Sequence, residues 1–231
     1  MEKQGRSLFS KQVRQSTDLA DGFLIWLLGM ITVLSFIFFF YPEFTSAEAY
    51  PTELLAIEIA FLIVPLVIFP LWYLKRKDGW EAKDFGLTLS VKAKPVWIGA
   101  IGLGIVWSLL SIGPAAPVAF LLLSIIQPSF IEEFAARGVI QTKLQSALGE
   151  WKGLVFAGLL FGLWHLPGGL LGINYEGPYS ITAVIIVIVF VFQALIGMLL
   201  GFIYFRTKSL VPGIVLHYLL DFGGLTLALL L

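Results

Sequence analysis

The chain has 231 residues, which suits a single domain; 58% of them are hydrophobic and 13% are charged. Because soluble domains carry about 25% charged residues, this composition excludes an ordinary soluble protein and indicates an integral membrane protein. The formal net charge is zero, so nothing points to nucleic acid as a partner. The chain contains no cysteine, which excludes disulfides and cysteine-ligated metal centres.

Seven apolar segments are long enough to cross a bilayer, for which a helix needs about 20 residues. We therefore predict an all-α, polytopic membrane helix bundle that forms one integral membrane domain over residues 1–231. The polar residues 1–22 precede a long apolar run without a small-residue cleavage site, which predicts a cytoplasmic segment followed by an anchor helix. The predicted spans are 23–41, 53–74, 95–112, 116–140, 152–172, 180–205 and 209–231.

The basic residues alternate between the two sides of the predicted spans. All fifteen Lys and Arg residues fall in the N-terminal segment, after spans two and six, or at the end of span four and just after it. The other connections carry Glu43, Glu48 and Glu176. Since cytoplasmic loops carry the excess of Lys and Arg, we predict a cytoplasmic N-terminus and an outer C-terminus. We expect the basic connection 75–94 to rest on anionic lipid headgroups.

Two pairs of glycines predict close helix packing. Gly158 and Gly162 lie in span five, and Gly197 and Gly201 lie in span six, each pair with the G-x-x-x-G spacing. Small residues at this spacing let two helix backbones approach within a membrane. We expect this contact to form inside one chain.

Ionisable side chains lie inside the predicted spans: Glu132, Glu133 and Arg137 in span four, and Asp221 in span seven. Each costs roughly 2.5–3.5 kcal/mol to insert, so the four together cost on the order of 10 kcal/mol. That sum is comparable to the stability of a whole domain, about 5–15 kcal/mol. It indicates a functional cluster whose members pair or line a wet cavity. Glu58 lies closer to the outer end of span two, where we expect an interfacial position.

The spacing of the charges in span four separates two glutamates. Glu133 and Arg137 are four residues apart, so they share a helix face and can form an ion pair. Glu132 points about 100° away from Glu133, which leaves it free to face another helix. The alternative is that this helix end reaches the cytoplasmic interface, where all three charges are solvated.

The chain has two histidines, and both lie in apolar spans. His165 is roughly 20 Å along span five and His217 roughly 12 Å along span seven, at 1.5 Å per residue. Asp221 follows His217 by four residues and shares its helix face. Two buried imidazoles together with buried carboxylates on a third helix favour a catalytic site over isolated core histidines.

These residues fit hydrolysis. A glutamate beside a neutral imidazole can take a proton from water, and a second polar pair can stabilise the oxyanion of a tetrahedral intermediate. Alternatively, His165, His217 and a carboxylate can bind zinc and leave one position for water. The spacing alone leaves both mechanisms open.

Three short motifs, in order and on separate predicted helices, contain these residues: EEFAAR at 132–137, FGLWH at 161–165 and HYLLD at 217–221. Together they resemble the E-E-x-x-x-R, F-x-x-x-H and H-x-x-x-N motifs of the CPBP family, the CAAX-protease and bacteriocin-processing (Abi) intramembrane proteases. The resemblance covers residues 113–224 and implies an endopeptidase with its catalytic core in a bundle of membrane helices.

The resemblance implies that Glu132 and His165 activate water and that His217 and residue 221 hold the oxyanion. Asp221 departs from the family's usual asparagine, because an ionised carboxylate repels an oxyanion that an amide would stabilise. Asp221 is then protonated, orients His217 or binds a metal. Metal-dependent and metal-free glutamate mechanisms are both argued for the family. We favour the metal-free mechanism without a cofactor; zinc held by Glu132, His165, His217 and Asp221 is the alternative.

The same resemblance implies that Glu133 and Arg137 organise the site and that Phe161 packs near His165. Relatives process prenylated CAAX proteins or bacteriocin-like peptides, so we expect a membrane-bound or lipidated substrate. The small size and short loops resemble the prokaryotic members. We therefore expect a plasma-membrane protein whose active site faces the cytoplasm.

Two rival functions use the same buried charges. A proton-linked carrier typically shows repeated halves with broken helices in matching positions, and the sequence shows no such symmetry. A catalytically silent immunity or scaffold protein would keep the fold without the chemistry. The protease remains the favoured hypothesis.

Overall fold

The computed structural model describes residues 2–46, 52–89, 93–170 and 183–230. In these ranges the chain forms seven long helices and no strand. A short 3₁₀ helix, Ala82–Phe85, lies in the second connection. The long helices are α1 Glu2–Ser46, α2 Thr52–Asp78, α3 Lys94–Leu110, α4 Val118–Leu148, α5 Glu150–Leu170, α6 Ala183–Thr207 and α7 Val211–Leu230.

The described helices have the lengths and compositions of membrane helices. Five of them contain apolar stretches long enough to cross a bilayer, namely those within α1, α2, α4, α6 and α7. Helix α3 is also apolar but has only 17 residues, and α5 includes the polar residues Glu150, Lys152 and His165. The predicted all-α membrane fold is confirmed. The seven-span count and the direction of insertion stay predictions.

A buried ion network joins α1, α2 and α4 at one end of the bundle. The ammonium of Lys143 lies 2.7 Å from Asp18, 3.2 Å from Asp21 and 2.5 Å from Asp78. Asp21 also pairs with Lys77 at 2.5 Å. The polar part of α1, the end of α2 and the end of α4 therefore share one end, as the alternation of basic connections predicts. That this end faces the cytoplasm stays a prediction.

Helix α4 is broken near its middle. Gln127 has φ −129° and ψ 125°, outside the helical region, and Pro128 follows it. Proline lacks a backbone N–H and clashes with the preceding turn, so a helix breaks at such a position. The predicted span 116–140 was continuous; the structure instead divides it, and the second part carries both glutamates of the first motif. Every side chain from Phe134 to Gln141 is buried, so this second part forms the centre of the bundle.

Helices α5 and α6 pack backbone against backbone at their glycines. A Cβ atom added to Gly162 would lie 2.7 Å from the Phe190 carbonyl oxygen, and one added to Gly197 would lie 3.1 Å from Gly158 Cα. A Cβ atom at position 162 would therefore force the backbone of α6 to shift, and one at position 197 would be tightly confined. The predicted contact between the G-x-x-x-G segments is confirmed as an intrachain one.

Candidate active site

The structure brings Glu132 of α4 and His165 of α5 together. Glu132 Oε2 lies 3.7 Å from His165 Nε2, and the two side chains are 18% and 20% exposed. Glu132 Oε2 is itself buried and has no hydrogen-bond partner among the described residues. The pair therefore combines a carboxylate oxygen with a free acceptor position and an imidazole side chain that remains partly accessible.

The other nitrogen of His165 fixes the state of this ring. His165 Nδ1 lies 2.9 Å from the Phe161 carbonyl oxygen, one helical turn earlier. A carbonyl oxygen only accepts hydrogen bonds, so Nδ1 carries the proton and donates. In the neutral ring, Nε2 then presents a lone pair to Glu132. Two acceptors facing each other at 3.7 Å leave a place for a molecule that donates to both.

Glu133 lies in the interior of the protein and contacts two cationic groups. Its Oε2 is 3.3 Å from Arg137 Nε, as the four-residue spacing predicted, and its Oε1 is 3.0 Å from His217 Nδ1 on α7. The Glu133 and Arg137 side chains are 1% and 2% exposed. The alternative of a solvated helix end is therefore wrong. Arg137 also donates from Nη2 to the Gly197 carbonyl oxygen at 3.3 Å.

His217 is held between two carboxylates. While Nδ1 contacts Glu133, Nε2 lies 3.3 Å from Asp221 Oδ2. Both ring nitrogens can donate only in the doubly protonated imidazolium, so this geometry favours a cationic His217. Its side chain is 6% exposed and that of Asp221 is 43% exposed. Asp221 thus lies at the open edge of the site and contacts His217. This contact fits the alternative in which Asp221 orients His217.

Phe161 packs against both imidazoles and the guanidinium. Its ring centroid is 4.6 Å from that of His165 and 6.2 Å from that of His217. The Arg137 Cζ atom lies 4.2 Å from the same centroid. An aromatic ring stabilises a cation over its face. The expected contact with His165 is therefore present, and the contacts with His217 and Arg137 add to it.

Two residues of the site escaped the sequence analysis. Gln127, at the break of α4, donates from Nε2 to Glu132 Oε1 and to Glu58 Oε1, both at 3.3 Å. Glu58, expected at the interface, is thereby coupled to the first motif. An uncharged amide beside Pro128 within an apolar run was the available signal for Gln127. Nothing in the sequence relates it to a residue 69 positions away.

The residues proposed as zinc ligands do not fit a zinc site. Among the described residues, no three of Glu132, His165, His217 and Asp221 bring ligand atoms within 4.8 Å of one another. Both nitrogens of His217 face carboxylates already. A catalytic zinc needs three protein ligands around one point.

Three carboxylates do meet elsewhere. Asp18, Asp21 and Asp78 bring oxygens within 4.8 Å of one another, but each also lies within 3.2 Å of the Lys143 ammonium. A cavity of about 820 Å³ adjoins this network and includes Asp84 and Trp80 in its wall. None of the residues of the three motifs lines it. This end of the bundle is thus held together by its own ion pairs.

Residues 114–223, a little under half of the chain, match the family model described as type II CAAX prenyl endopeptidase Rce1-like. This segment is similar to the Rce1-like family. Neither a curated protein nor a solved structure matches the chain. The Rce1-like segment holds all three motifs and every residue of the site except Glu58.

The Rce1-like match confirms the predicted resemblance to the CAAX proteases. With the apolar helices it indicates an integral membrane protein and, in general terms, an intramembrane endopeptidase of the CAAX type. The bilayer is then its environment, and its substrate is membrane-associated.

Proposed function

We propose that this protein hydrolyses a peptide bond of a lipidated CAAX-type protein or a bacteriocin-like peptide through a water activated by Glu132 and His165. The observation that carries the proposal is the pair of acceptors, Glu132 Oε2 and His165 Nε2, facing each other at 3.7 Å. A water beside the pair, about 2.8 Å from each atom, can donate one hydrogen bond to each. Its oxygen lone pairs then remain free to attack a carbonyl carbon.

In the chemical step Glu132 carries the proton, and His165 Nε2 orients the water by accepting its second hydrogen bond. As the water oxygen bonds to the carbonyl carbon of the substrate, one water proton passes to the Glu132 carboxylate and the carbonyl π electrons move to oxygen. The tetrahedral intermediate then collapses, the C–N bond breaks, and the proton held by Glu132 passes to the leaving nitrogen. General acid–base catalysis of this kind contributes typically 10²–10⁴-fold to the rate.

His217 supports the negative charge of the intermediate. Both N–H groups of His217 contact carboxylates, so the cationic imidazole acts on the oxyanion through its positive charge. Glu133 balances the positive charge of His217 and Arg137 from inside the bundle. Asp221 orients His217 in this mechanism, so its carboxylate need not contact the oxyanion. No metal takes part in any step.

The test is cleavage by purified protein in detergent or liposomes, with a farnesylated CAAX peptide, its unprenylated copy and a bacteriocin-precursor peptide as substrates. We expect Glu132→Gln and His165→Ala each to lower kcat at least about 100-fold without changing the unfolding temperature. Glu53→Gln, an exposed glutamate of α2, is the matched control. Unchanged cleavage in both site variants would remove the proposal.

Metal dependence is tested separately. We expect 1,10-phenanthroline and EDTA to leave the rate unchanged, and elemental analysis of active protein to find less than one zinc per chain. Inhibition that zinc reverses, in a protein with stoichiometric zinc, would contradict the metal-free mechanism. It would leave the protease assignment in place.

A further inference from the structure

Glu58 is the one carboxylate of the site that the hydrolysis above leaves unused. It lies on α2, outside the Rce1-like segment, and is partly buried. Its Oε1 and Glu132 Oε1 each lie 3.3 Å from the same atom, Gln127 Nε2. The two carboxyl groups therefore flank a single amide nitrogen.

The Gln127 amide is held in this orientation. Its side chain is 4% exposed, and its Nε2 has two N–H groups, one for each carboxyl oxygen. The opposite orientation would place the amide oxygen against the Glu132 carboxylate oxygen, which only accepts hydrogen bonds. The break of α4 at Gln127 directs this side chain, which an uninterrupted helix would place differently relative to Glu132.

Two carboxyl groups this close in an apolar setting do not both ionise easily, because like charges disfavour each other's charged form. Glu132 on α4 lies across the Gln127 amide from Glu58, and the other oxygen of Glu132 faces His165 on α5. The neighbouring apolar stretches of α1 and α4, residues 22–40 and 118–126, contain no ionisable side chain. Glu58 thus has no cationic partner in these stretches, whereas Glu132 faces His165.

We propose that Glu58 is a positioning residue of the site: as a neutral acid it anchors the Gln127 amide, which keeps Glu132 ionised and directed at His165. This inference rests on the proposed hydrolysis. In the working state the two carboxyl groups share one proton, held on Glu58. A neutral Glu58 still accepts the hydrogen bond from Gln127 through its carbonyl oxygen.

The test compares Glu58→Gln with Glu58→Ala in the cleavage assay. We expect Glu58→Ala to lower kcat about tenfold while KM stays within about twofold, because Gln127 loses its anchor and Glu132 its orientation. Glu58→Gln keeps a neutral carbonyl acceptor, so we expect this variant to retain a third or more of the wild-type kcat. Glu53→Ala, at an exposed position of the same helix, is the control and leaves both constants unchanged.

The pH profile separates positioning from a purely structural role. When Glu58 ionises at high pH, it places a second negative charge beside Glu132 and the developing oxyanion, so the wild-type rate should fall. In Glu58→Gln this alkaline limb should be absent, while the acid limb of the profile remains. A structural role alone would lower the unfolding temperature and leave the shape of the profile unchanged.

Each outcome decides the inference. Loss of activity in Glu58→Gln as complete as in Glu132→Gln, or a wild-type kcat in Glu58→Ala, would overturn it. If Glu58→Ala fails to fold, the pH profile of Glu58→Gln decides alone, and an unchanged alkaline limb overturns the inference. If Glu132→Gln retains activity, the proposed hydrolysis itself fails, which is a separate result.

Discussion

Glu133 of α4 and His217 of α7 form a buried contact across 84 residues of chain, with 3.0 Å between Oε1 and Nδ1. The same carboxylate pairs with Arg137 through its other oxygen. One anion thus connects the first motif to the third and balances two cationic groups in the apolar interior. The organising role that the resemblance implied for Glu133 has a physical basis in this arrangement.

We predict that Glu133→Gln destabilises the protein by about 3 kcal/mol, because breaking a buried ion pair leaves charge uncompensated in a low dielectric. Unfolding in detergent, followed by circular dichroism or tryptophan fluorescence, measures this. Glu81→Gln is the control, because Glu81 pairs with Lys83 at the surface, where both side chains are about 70% exposed. Equal unfolding temperatures for the two variants would show that Glu133 does not stabilise the interior.

Two substitutions at Asp221 distinguish the effect of its negative charge from the effect of its hydrogen bond to His217. Its Oδ2 lies 3.3 Å from His217 Nε2, and an asparagine oxygen can accept the same hydrogen bond. We expect Asp221→Ala to lower kcat/KM about tenfold by releasing His217 from its orientation, and Asp221→Asn to lose less. If Asp221→Asn is as inactive as Asp221→Ala, the negative charge itself is required.

Lys143 should be as important for stability as the site residues and unimportant for catalysis. It contacts Asp18, Asp21 and Asp78, and of these Asp21 also pairs with Lys77. Lys143→Met leaves the three carboxylates with only that second cation and should cost about 3–5 kcal/mol. Lys152→Met, at an exposed position of α5, is the control. The kcat of the folded Lys143→Met fraction should match wild type; a lowered kcat would contradict the separation of the network from the site.

Alanine substitution at the glycine contact between α5 and α6 should change the stability in the opposite direction from alanine substitution at an exposed glycine. A Cβ atom at position 162 would lie 2.7 Å from a backbone oxygen, so Gly162→Ala should destabilise by about 1–3 kcal/mol through overpacking. Gly102 on α3 has no neighbouring atom within 4 Å, and Gly102→Ala should stabilise by about 0.5–1 kcal/mol. Unfolding midpoints of both variants provide the comparison. A Gly162→Ala midpoint at or above wild type would contradict the close approach.

The predicted orientation can be tested directly, because the chain has no cysteine that would react in the background. Ala82 follows α2, Ala115 precedes α4, and both are exposed. With a membrane-impermeant maleimide, we expect Ala115→Cys to react in intact cells and Ala82→Cys only after permeabilisation. The opposite pattern would reverse the orientation; equal reactivity would place both connections on one side.

The helices were predictable because membrane spans are defined locally, by the length and apolarity of a segment. The predicted span 180–205 corresponds to α6, Ala183–Thr207. Helix ends were less accurate where polar residues continue the helix beyond the apolar run, as at Lys75–Asp78. The break at Gln127 was missed, although Pro128 was visible, because hydropathy alone does not register the loss of a backbone N–H.

Part of the site could also be predicted from the spacing of residues along a single helix. The contacts of Glu133 with Arg137 and of His217 with Asp221 both follow from a four-residue spacing on one helix, and both occur at 3.3 Å. The contacts of Gln127 with Glu58 and of Glu133 with His217 join residues far apart in the chain. No periodicity relates such residues.

The sequence by itself determined that the chain is a helical membrane protein and which ionisable residues lie in its spans, since apolar length and the cost of burying charge act on short segments. The resemblance to the CAAX proteases implied which of these residues form the three motifs. Only the tertiary structure decided which carboxylate faces which imidazole. Glu132 and Glu133 are adjacent in sequence, yet one faces His165 and the other His217. The packing of α5 and α7 against the broken α4 sets these partners, because it determines which helix lies against each side of α4.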